Sequence, residues 1–418
     1  MRPASQAPSP APAHANPSSG WPLTRLEELV SPHPGYWGAD EPNETTEPVL
    51  VLGVGNVTNE GNLDLAGATT RHLTPREFDG IAEEGDLLVV KSSGSAASIR
   101  SGKAAICPPD LSGKIACSNF MIRLAVHREK ADPFLLWLLL NSQAAKKFIR
   151  GIVGASTYPN IKWGDYRNFA FPLPPLPEQR RIAARLREQL SAVAEARAAV
   201  QAQSNAAQDL PAVQLRAAFT HAVAARWPKC KLGAVLRLRK EVVHPRDNPS
   251  GPAVFVGLEH VHSLTGERTG SLPVEMSELT GRKPRFYTGD IVYGYLRPYL
   301  NKLWVAEFDG LCSVDQYVYE VNREKADTDF VAWFMRSPVY LERAPIDASP
   351  GQLPRIRTEE VASVEINLPP VSQQRALVAQ IQKEFTETTA LKQTLSARLT
   401  ALDHLPAALL REAFNGRV

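Results

Sequence analysis

The sequence predicts an α+β chain in which two similar mixed α/β domains are separated by two long antiparallel coiled-coil helices, an arrangement with pseudo-twofold character. Three observations predict it: an internal repeat spans most of the chain, each copy mixes strand-like with helical stretches, and each copy ends in a long apolar stripe. With 418 residues, of which 44% are apolar, 22% charged and 7% aromatic, the chain is long enough for real cores in two or three domains.

The repeat is carried by Leu173-Pro174-Pro175-Leu176-Pro177-Glu178-Gln179-Arg180, matched by Leu368-Pro369-Pro370-Val371-Ser372-Gln373-Gln374-Arg375 with the two glutamines 195 apart. The same offset relates Leu210-Pro211-Ala212 to Leu405-Pro406-Ala407, Ala218-Phe219 to Ala413-Phe414, and Cys117-Ser118 to Cys312-Ser313. Further upstream, Gly85-Asp86-Leu87-Leu88-Val89 aligns with Gly289-Asp290-Ile291-Val292-Tyr293 at an offset of 204, and Trp21-Pro22 with Trp227-Pro228 at 206. The first copy therefore carries nine extra residues between its Gly-Asp turn and its Cys-Ser pair, in the region Ser92 to Ala116, whose Gly, Ser and Pro content reads as loop.

Taken in order, residues 1–20 are rich in Ala, Pro and Ser, lack a charged stretch followed by an apolar one, and read as a disordered leader. Residues 21–177 form a first globule: Val49 to Val54, Asp86 to Lys91 and Asn119 to Val126 are β-rich and bounded by Gly and Pro, and Pro133 to Arg150 is helical. Asn168 to Pro177 is extended, because residues before proline avoid the helical region. Residues 178–224 hold the first long helix, with Ile182, Leu186, Gln189, Val193, Ala196, Val200, Gln203, Ala207 and Leu210 in alternating steps of four and three.

Residues 225–372 repeat the globule, with strands at Ala253 to Leu258, Ile291 to Tyr295, Lys302 to Ala306 and Val314 to Val321, a helix at Asp329 to Arg343, and an extended lead-in at Val364 to Ser372. Residues 373–418 hold the second long helix, striped by Leu377, Ile381, Glu384, Thr388, Leu391, Leu395, Arg398, Leu402 and Leu405. Polar residues in both stripes fit helices that pair with each other and also pack partner proteins. About 32 residues at about 1.5 Å each make a spacer of roughly 48 Å.

Forty-seven Lys and Arg against 44 Asp and Glu leave a charge of +3, so a nucleic-acid surface has to come from local placement of charge. Cys107, Cys117, Cys230 and Cys312 form no Cys-x-x-Cys pair, which fits a reducing, cytoplasmic setting; Cys117 and Cys312 read as small buried residues at a strand start. The longest apolar run, Phe134 to Leu140, is far below the roughly 20 residues of a membrane-spanning helix.

No catalytic constellation emerges. Gly53-x-Gly55 lacks the third glycine of a dinucleotide site, and no phosphate-binding Gly-rich loop ending in Gly-Lys-Ser/Thr is present. Asp132-Pro133-Phe134 and Asn367-Leu368-Pro369-Pro370 do not fit the Pro-Pro-aromatic motif of amino-group methyltransferases. His260 and His262, at a strand end, have no Cys or carboxylate set to complete a metal site. The chain is read as holding no metal and no cofactor of its own, and as not an enzyme.

What does stand out is a pair of loops in each copy. After the second Gly-Asp turn come Tyr293, Tyr295, Arg297, Tyr299, Asn301 and Lys302: Arg and Asn suit base edges, Lys and Tyr reach phosphates, and Pro298 stiffens the loop. The first copy has Lys91, Ser92, Ser93 and Ser95, then Arg100 and Lys103, where small residues permit close approach and cations meet phosphate. A second loop precedes each Pro-Pro, with Thr157, Tyr158, Asn160 and Lys162 in the first copy and Gln352, Arg355 and Arg357 in the second.

The segment Phe171-Pro172-Leu173-Pro174-Pro175-Leu176-Pro177-Glu178-Gln179-Arg180-Arg181-Ile182, its second copy at Ile366 to Leu377, and the two Gly-Asp turns together resemble the specificity subunit of Type I restriction-modification systems. The resemblance covers nearly the whole chain from Trp21. It departs at Ser372-Gln373, where the first copy has Pro177-Glu178, but the Gln-Arg that follows is retained.

The resemblance implies two target-recognition domains, 21–177 and 225–372, each reading one half of a bipartite double-stranded DNA site. The helix regions 178–224 and 373–418 would separate them and dock two methyltransferase subunits, and a restriction subunit can join. S-adenosylmethionine is then expected on the methyltransferase, which flips and methylates an adenine. The spacer would set half-site centres roughly 10 to 15 base pairs apart at about 3.4 Å per pair. Two other readings stay open: a coiled-coil scaffold or adaptor with no DNA readout, and a specificity subunit of a fused methyltransferase-nuclease or another defence assembly.

Overall fold

Each Gly-Asp pair is a tight turn that starts a buried strand. Gly85 and Gly289 adopt φ +81° and +87°, a region costly for side-chain-bearing residues. The carboxylates of Asp86 and Asp290 then fold back to accept the backbone N–H of Glu83 (2.9 Å) and Tyr287 (2.8 Å). An arginine closes each turn: Arg123 Nε lies 2.6 Å from Asp86, and Arg239 Nε lies 2.8 Å from Asp290.

The computed structural model describes residues 20–92, 94–95, 98–153, 159–221, 224–247, 250–346 and 353–414. The expected leader lies outside them except for Gly20. The chain divides into two compact units, residues 1–198 with 399–418, and residues 199–398.

In the first unit, strands Thr69–Leu73, Glu47–Leu52, Ile115–Cys117 and Ile81–Ala82 lie in that order in one sheet, with Glu47–Leu52 and Ile115–Cys117 parallel. A second, antiparallel sheet has the order Val30–Pro34, Met121–Val126, Leu87–Val90, Ala104–Ile106. Leu23–Arg25 pairs with Ala170–Pro172. Helices α1 (Pro133–Leu140), α2 (Gln143–Val153) and α3 (Trp163–Tyr166) precede the long helix α4 (Leu176–Thr220).

The second unit rebuilds this plan strand for strand. Its antiparallel sheet runs Leu236–Leu238, Gln316–Val321, Ile291–Gly294, Leu303–Val305. Its other sheet runs Lys283–Phe286, Gly310–Cys312, Pro252–Val256, Leu272–Glu275, with Pro252–Val256 and Gly310–Cys312 parallel and Val242–Val243 added at the edge. Lys229–Lys231 pairs with Glu365–Asn367. Helices α5 (Thr328–Arg336), α6 (Pro338–Arg343) and α7 (Thr358–Ser363) precede α8 (Val371–Phe414).

Both lead-ins are strand first and helix sooner than expected. The helices begin at Leu176 and Val371, since proline is tolerated in a first turn where no N–H partner is needed. Each single helix expected after the strands is two. In the first unit Asn141 and Ser142 break it; in the second, Ser337 precedes Pro338, its hydroxyl donating to Phe334 O (2.6 Å) and accepting from Tyr340 N (3.3 Å). The region Ser92 to Ala116 is not all loop, because Ala104–Ile106 and the start of Ile115–Cys117 lie in it. Cys117 and Cys312 are fully buried but end their strands rather than starting them.

Each core is closed by the beginning of one long helix and the end of the other. In the first unit Ile182, Ala183 and Leu186 pack with Ala413, Leu409 and Leu410 in one core with the α1 leucines and with Ala145, Ile149 and Val153 of α2. In the second, Leu215 and Phe219 join Val378 and Ile381 against Phe330, Val331 and Phe334. Within each unit the two helical segments run antiparallel: Arg197 Nε bonds Asp403 (2.6 Å) in the first, and Gln214 Nε2 bonds Thr388 Oγ1 (3.0 Å) in the second. The expected stripe holds at Ile182, Leu186, Ala207, Ile381, Thr388 and Leu395, all buried, whereas Ala196, Gln203, Leu391, Arg398 and Leu405 are exposed. The stripe is thus buried at some turns along the helices and faces solvent at others.

Candidate nucleic-acid interface

The buried strands started by the Gly-Asp turns end at Val90 and Gly294, and the next residue in each unit becomes the centre of a three-segment row. Lys91 N donates to Phe120 O (2.9 Å), and Lys91 O accepts from Ile161 N (2.8 Å). In the second unit Tyr295 N donates to Asp315 O (3.1 Å), and Tyr295 O accepts from Ile356 N (3.2 Å). One residue further, Ser92 bridges Asn160 and Leu296 bridges Arg355, both antiparallel. The two loops singled out in each copy are therefore neighbours, joined by the same backbone pairing.

In the first unit Asn160 and Lys162 are exposed, while Lys91, Ser92, Arg100 and Lys103 are half-buried. Ser95 lies in the hairpin Gly94–Ser95 with Ser98–Ile99. Arg100 Nη2 donates to Val57 O (3.3 Å), Lys103 Nζ to Asn59, and the Ser101 hydroxyl to Pro159 O (2.7 Å). Partial burial lowers the Lys103 pKa, and the nearby charges of Arg100 and Lys146 lower it further, the signature of crowded cations. Ser93, Thr157, Tyr158 and, in the second unit, Gln352 lie outside the described residues.

In the second unit Arg297 and Tyr299 are exposed, Tyr299 by 53%, on the turn Pro298–Leu300. Arg297 and Asn301 flank this turn with φ +50° and +44°. Such left-handed backbone costs about 1 kcal/mol or more in a side-chain-bearing residue and persists only where surroundings impose it. Here Arg297 N donates to Pro354 O (2.7 Å), and Asn301 Nδ2 to Met335 O (2.9 Å). Tyr295 stacks on Tyr317 with centroids 4.4 Å apart, and burial raises its pKa. Arg355 is half-buried, and Arg357 is exposed at the start of α7.

Two residues read as groove contacts lie in the core instead. Tyr293 is fully buried beside Tyr340, because alternation along its strand points it into the core. Asn301 is likewise buried and anchors the turn. Lys302, half-buried, donates to Leu258 O (2.7 Å) and braces the hairpin. His260, ending the turn Leu258–His260, has its Nδ1 within 3.0 Å of Gly257 N, and among the described residues no group of three or more His, Cys, Asp or Glu could hold a metal ion.

Sequence reasoning merged α2 into a longer helix and missed its cationic face. Its inner face buries Ala145, Ile149 and Val153, and its outer face exposes Lys146, Lys147 and Arg150. Ile149 packs on Gly102, and Lys146 acts electrostatically on Lys103, so the helix adds cations to the first unit's loop row. Its i, i+4 spacing of Lys146 and Arg150 was a readable signal, hidden by treating 133–150 as one helix.

The fold is duplicated, and each copy builds the same loop row beneath different side chains with cations beside it. Residues 82–196 match the family described as Type I restriction modification DNA specificity domain. The Type I restriction enzyme EcoDI specificity subunit of Escherichia coli is 26% identical over 317 residues, covering 68% of this chain and 70% of that one. Two solved structures share the fold. A chain from a study of complex assembly and conformational transition of the type I R-M system superposes with TM-score 0.66 at 21% identity, covering 95% of this chain and 98% of that one. The HsdS subunit from Thermoanaerobacter tengcongensis gives TM-score 0.63 at 20% identity, covering 96% and 98%. The chain is thus similar, in one segment by family and over most of its length by sequence and fold, to specificity subunits of Type I restriction-modification systems.

Proposed function

We propose that this chain is the non-catalytic, sequence-reading subunit of a DNA adenine methyltransferase complex of the Type I class, with one unit addressing each half of a bipartite site. The observation that carries the reading is the shared backbone pairing, Ser92 with Asn160 and Leu296 with Arg355, under side chains that differ between the units. A constant frame with variable chemistry is what two different half-sites require, because phosphate contacts fix register while base contacts specify.

On this reading residues 21–177 and 225–372 are the target-recognition domains. Regions 178–224 and 373–418 separate them and dock two methyltransferase subunits, and restriction subunits can join the same frame. S-adenosylmethionine belongs to the methyltransferase, and the complex works in the cytoplasm on double-stranded DNA. Lys91, Ser92, Arg100, Lys103, Asn160 and Lys162 serve one half-site, and Tyr295, Arg297, Tyr299, Arg355 and Arg357 the other.

The test is single-molecule methylation mapping of a host carrying this gene with its neighbours, against the same host lacking only this gene. A two-part motif with a fixed gap that vanishes on deletion is the expected result. An unchanged map with a demonstrably active methyltransferase would overturn the reading in favour of a scaffold without DNA readout.

A further inference from the structure

Large aromatic rings seldom remain half-exposed next to one another in a protein that has apolar cores available to hold them. In the first unit Phe120 is 48% exposed and Trp37 39%, with centroids 6.5 Å apart and rings at 80°. Their position is fixed from below. Tyr36 N donates to Cys117 O (2.8 Å), and Gly35 lies so close to Ser118 O that any Cβ there would clash with it. Trp37 is therefore held against the turn bearing Phe120.

That turn is the outer segment of the loop row: Phe120 O accepts both Lys91 N (2.9 Å) and Ser92 N (3.1 Å). The Arg71 guanidinium lies 5.7 Å from the centre of the Trp37 ring and pairs with Asp40. On the row's other side stand Arg100, Lys103 and the exposed Lys146 and Lys162. A surface with apolar rings at one edge and crowded cations at the other matches duplex DNA, whose phosphates meet the cations while base edges, thymine methyls and sugars meet the rings. An apolar protein patch would satisfy the rings and leave the cations unanswered.

We propose that Trp37 and Phe120 are specificity-determining contacts of the first unit, an aromatic pair laid against the bases of its half-site. The inference rests on the DNA reading above and assigns residues that the loop motifs did not. Asp315 takes the place of Phe120 in the second unit's row, so the contribution belongs to one half-site alone.

The experiment uses the full chain assembled with its methyltransferase subunits. Three duplexes are compared: the site mapped for the wild type, and the same duplex with either half scrambled. Trp37→Ala and Phe120→Ala should each weaken binding to the intact site on the order of tenfold, the scale of losing one groove contact to a base pair. The loss should disappear when one particular half is scrambled and persist when the other is. Phe120→Leu, at a half-exposed position, is the companion variant should either alanine variant fail to fold, and it should show a smaller loss with the same half-site dependence. Unchanged affinity in the folded variants, or an equal loss on all three duplexes, overturns the proposal. A wild-type complex with no preferred duplex overturns the DNA reading itself, and that result is read before any variant is compared.

Discussion

Gln179 and Gln374 show how much one repeated residue can hold. Each is buried, and each uses both ends of its amide on the backbone. Gln179 Oε1 accepts from Asp132 N (2.9 Å), and its Nε2 donates to Lys130 O and Pro174 O (both 2.9 Å). Gln374 repeats this with Asp327 N (2.7 Å), Lys325 O (3.2 Å) and Pro369 O (2.7 Å). The amide ties the lead-in, the start of the long helix and the cap of the preceding helix together. Gln179→Ala or Gln374→Ala, leaving buried donors and acceptors unmet, should cost about 3 kcal/mol, seen as a lower denaturant midpoint. At Arg297 the native left-handed backbone is equally strained in alanine, so Arg297→Ala reports the side chain alone. If it reads a base edge, one half-site should weaken by about 1 to 3 kcal/mol in duplex-binding measurements, while uniform weakening would make it a phosphate contact. Burial raises the thiols of Cys107, Cys117 and Cys312 to about 12 against 9.0 when exposed. Between those values the unfolded chain gives up protons that the folded chain keeps, so stability should fall as pH rises above about 9. A Cys→Ala triple variant should show a shallower alkaline decline in denaturant midpoints than the wild type.

Helix α2 sets cations beside the first unit's loop row. Lys146 on its outer face and Lys162 at the start of α3 are exposed cations flanking the loop row. Lys146→Ala and Lys162→Ala should each weaken binding across all DNA sequences and reduce the slope of log affinity against log salt by about one, measured by salt titration. The same helix marks the limit of what was legible. Strands such as Leu87–Val90 and Gln316–Val321 were readable because they are apolar runs bounded by turns, and the long helices because their stripes persist over many turns. The two- and three-residue strands, including Leu23–Arg25 and Lys229–Lys231, are too short for periodicity and exist only through distant partners. The loop row was found from composition, yet Tyr293 and Asn301 lie in the core, since residue type cannot tell a buried hydroxyl or amide from a free one. Trp37 and Phe120 escaped because an aromatic in a strand-rich region reads as core.

At the scale of the whole chain, the order of segments and the order of packing differ. The second unit is one continuous stretch, 199–398, whereas the first needs residues 399–418 brought back from the C-terminus. Those residues supply Leu409, Leu410 and the fully buried Ala413 to a core whose other members lie before residue 190 or at Leu190. Ending the chain at Arg398 therefore removes one wall of the first core and leaves the second unit's residues intact. Losing the burial of two leucines and an alanine, with a cavity in their place, should destabilise the first unit by roughly 3 to 5 kcal/mol. The expected outcome is two unfolding transitions in calorimetry of the truncated chain, the earlier one belonging to residues 20–198, identified by faster amide exchange there. In duplex binding, the truncated chain should lose preference at the half-site that Trp37 and Phe120 serve and retain it at the half-site served by Arg297. A single transition with both preferences lost together would mean that the two cores do not fold independently, and that each half-site is read only when the whole chain is in place.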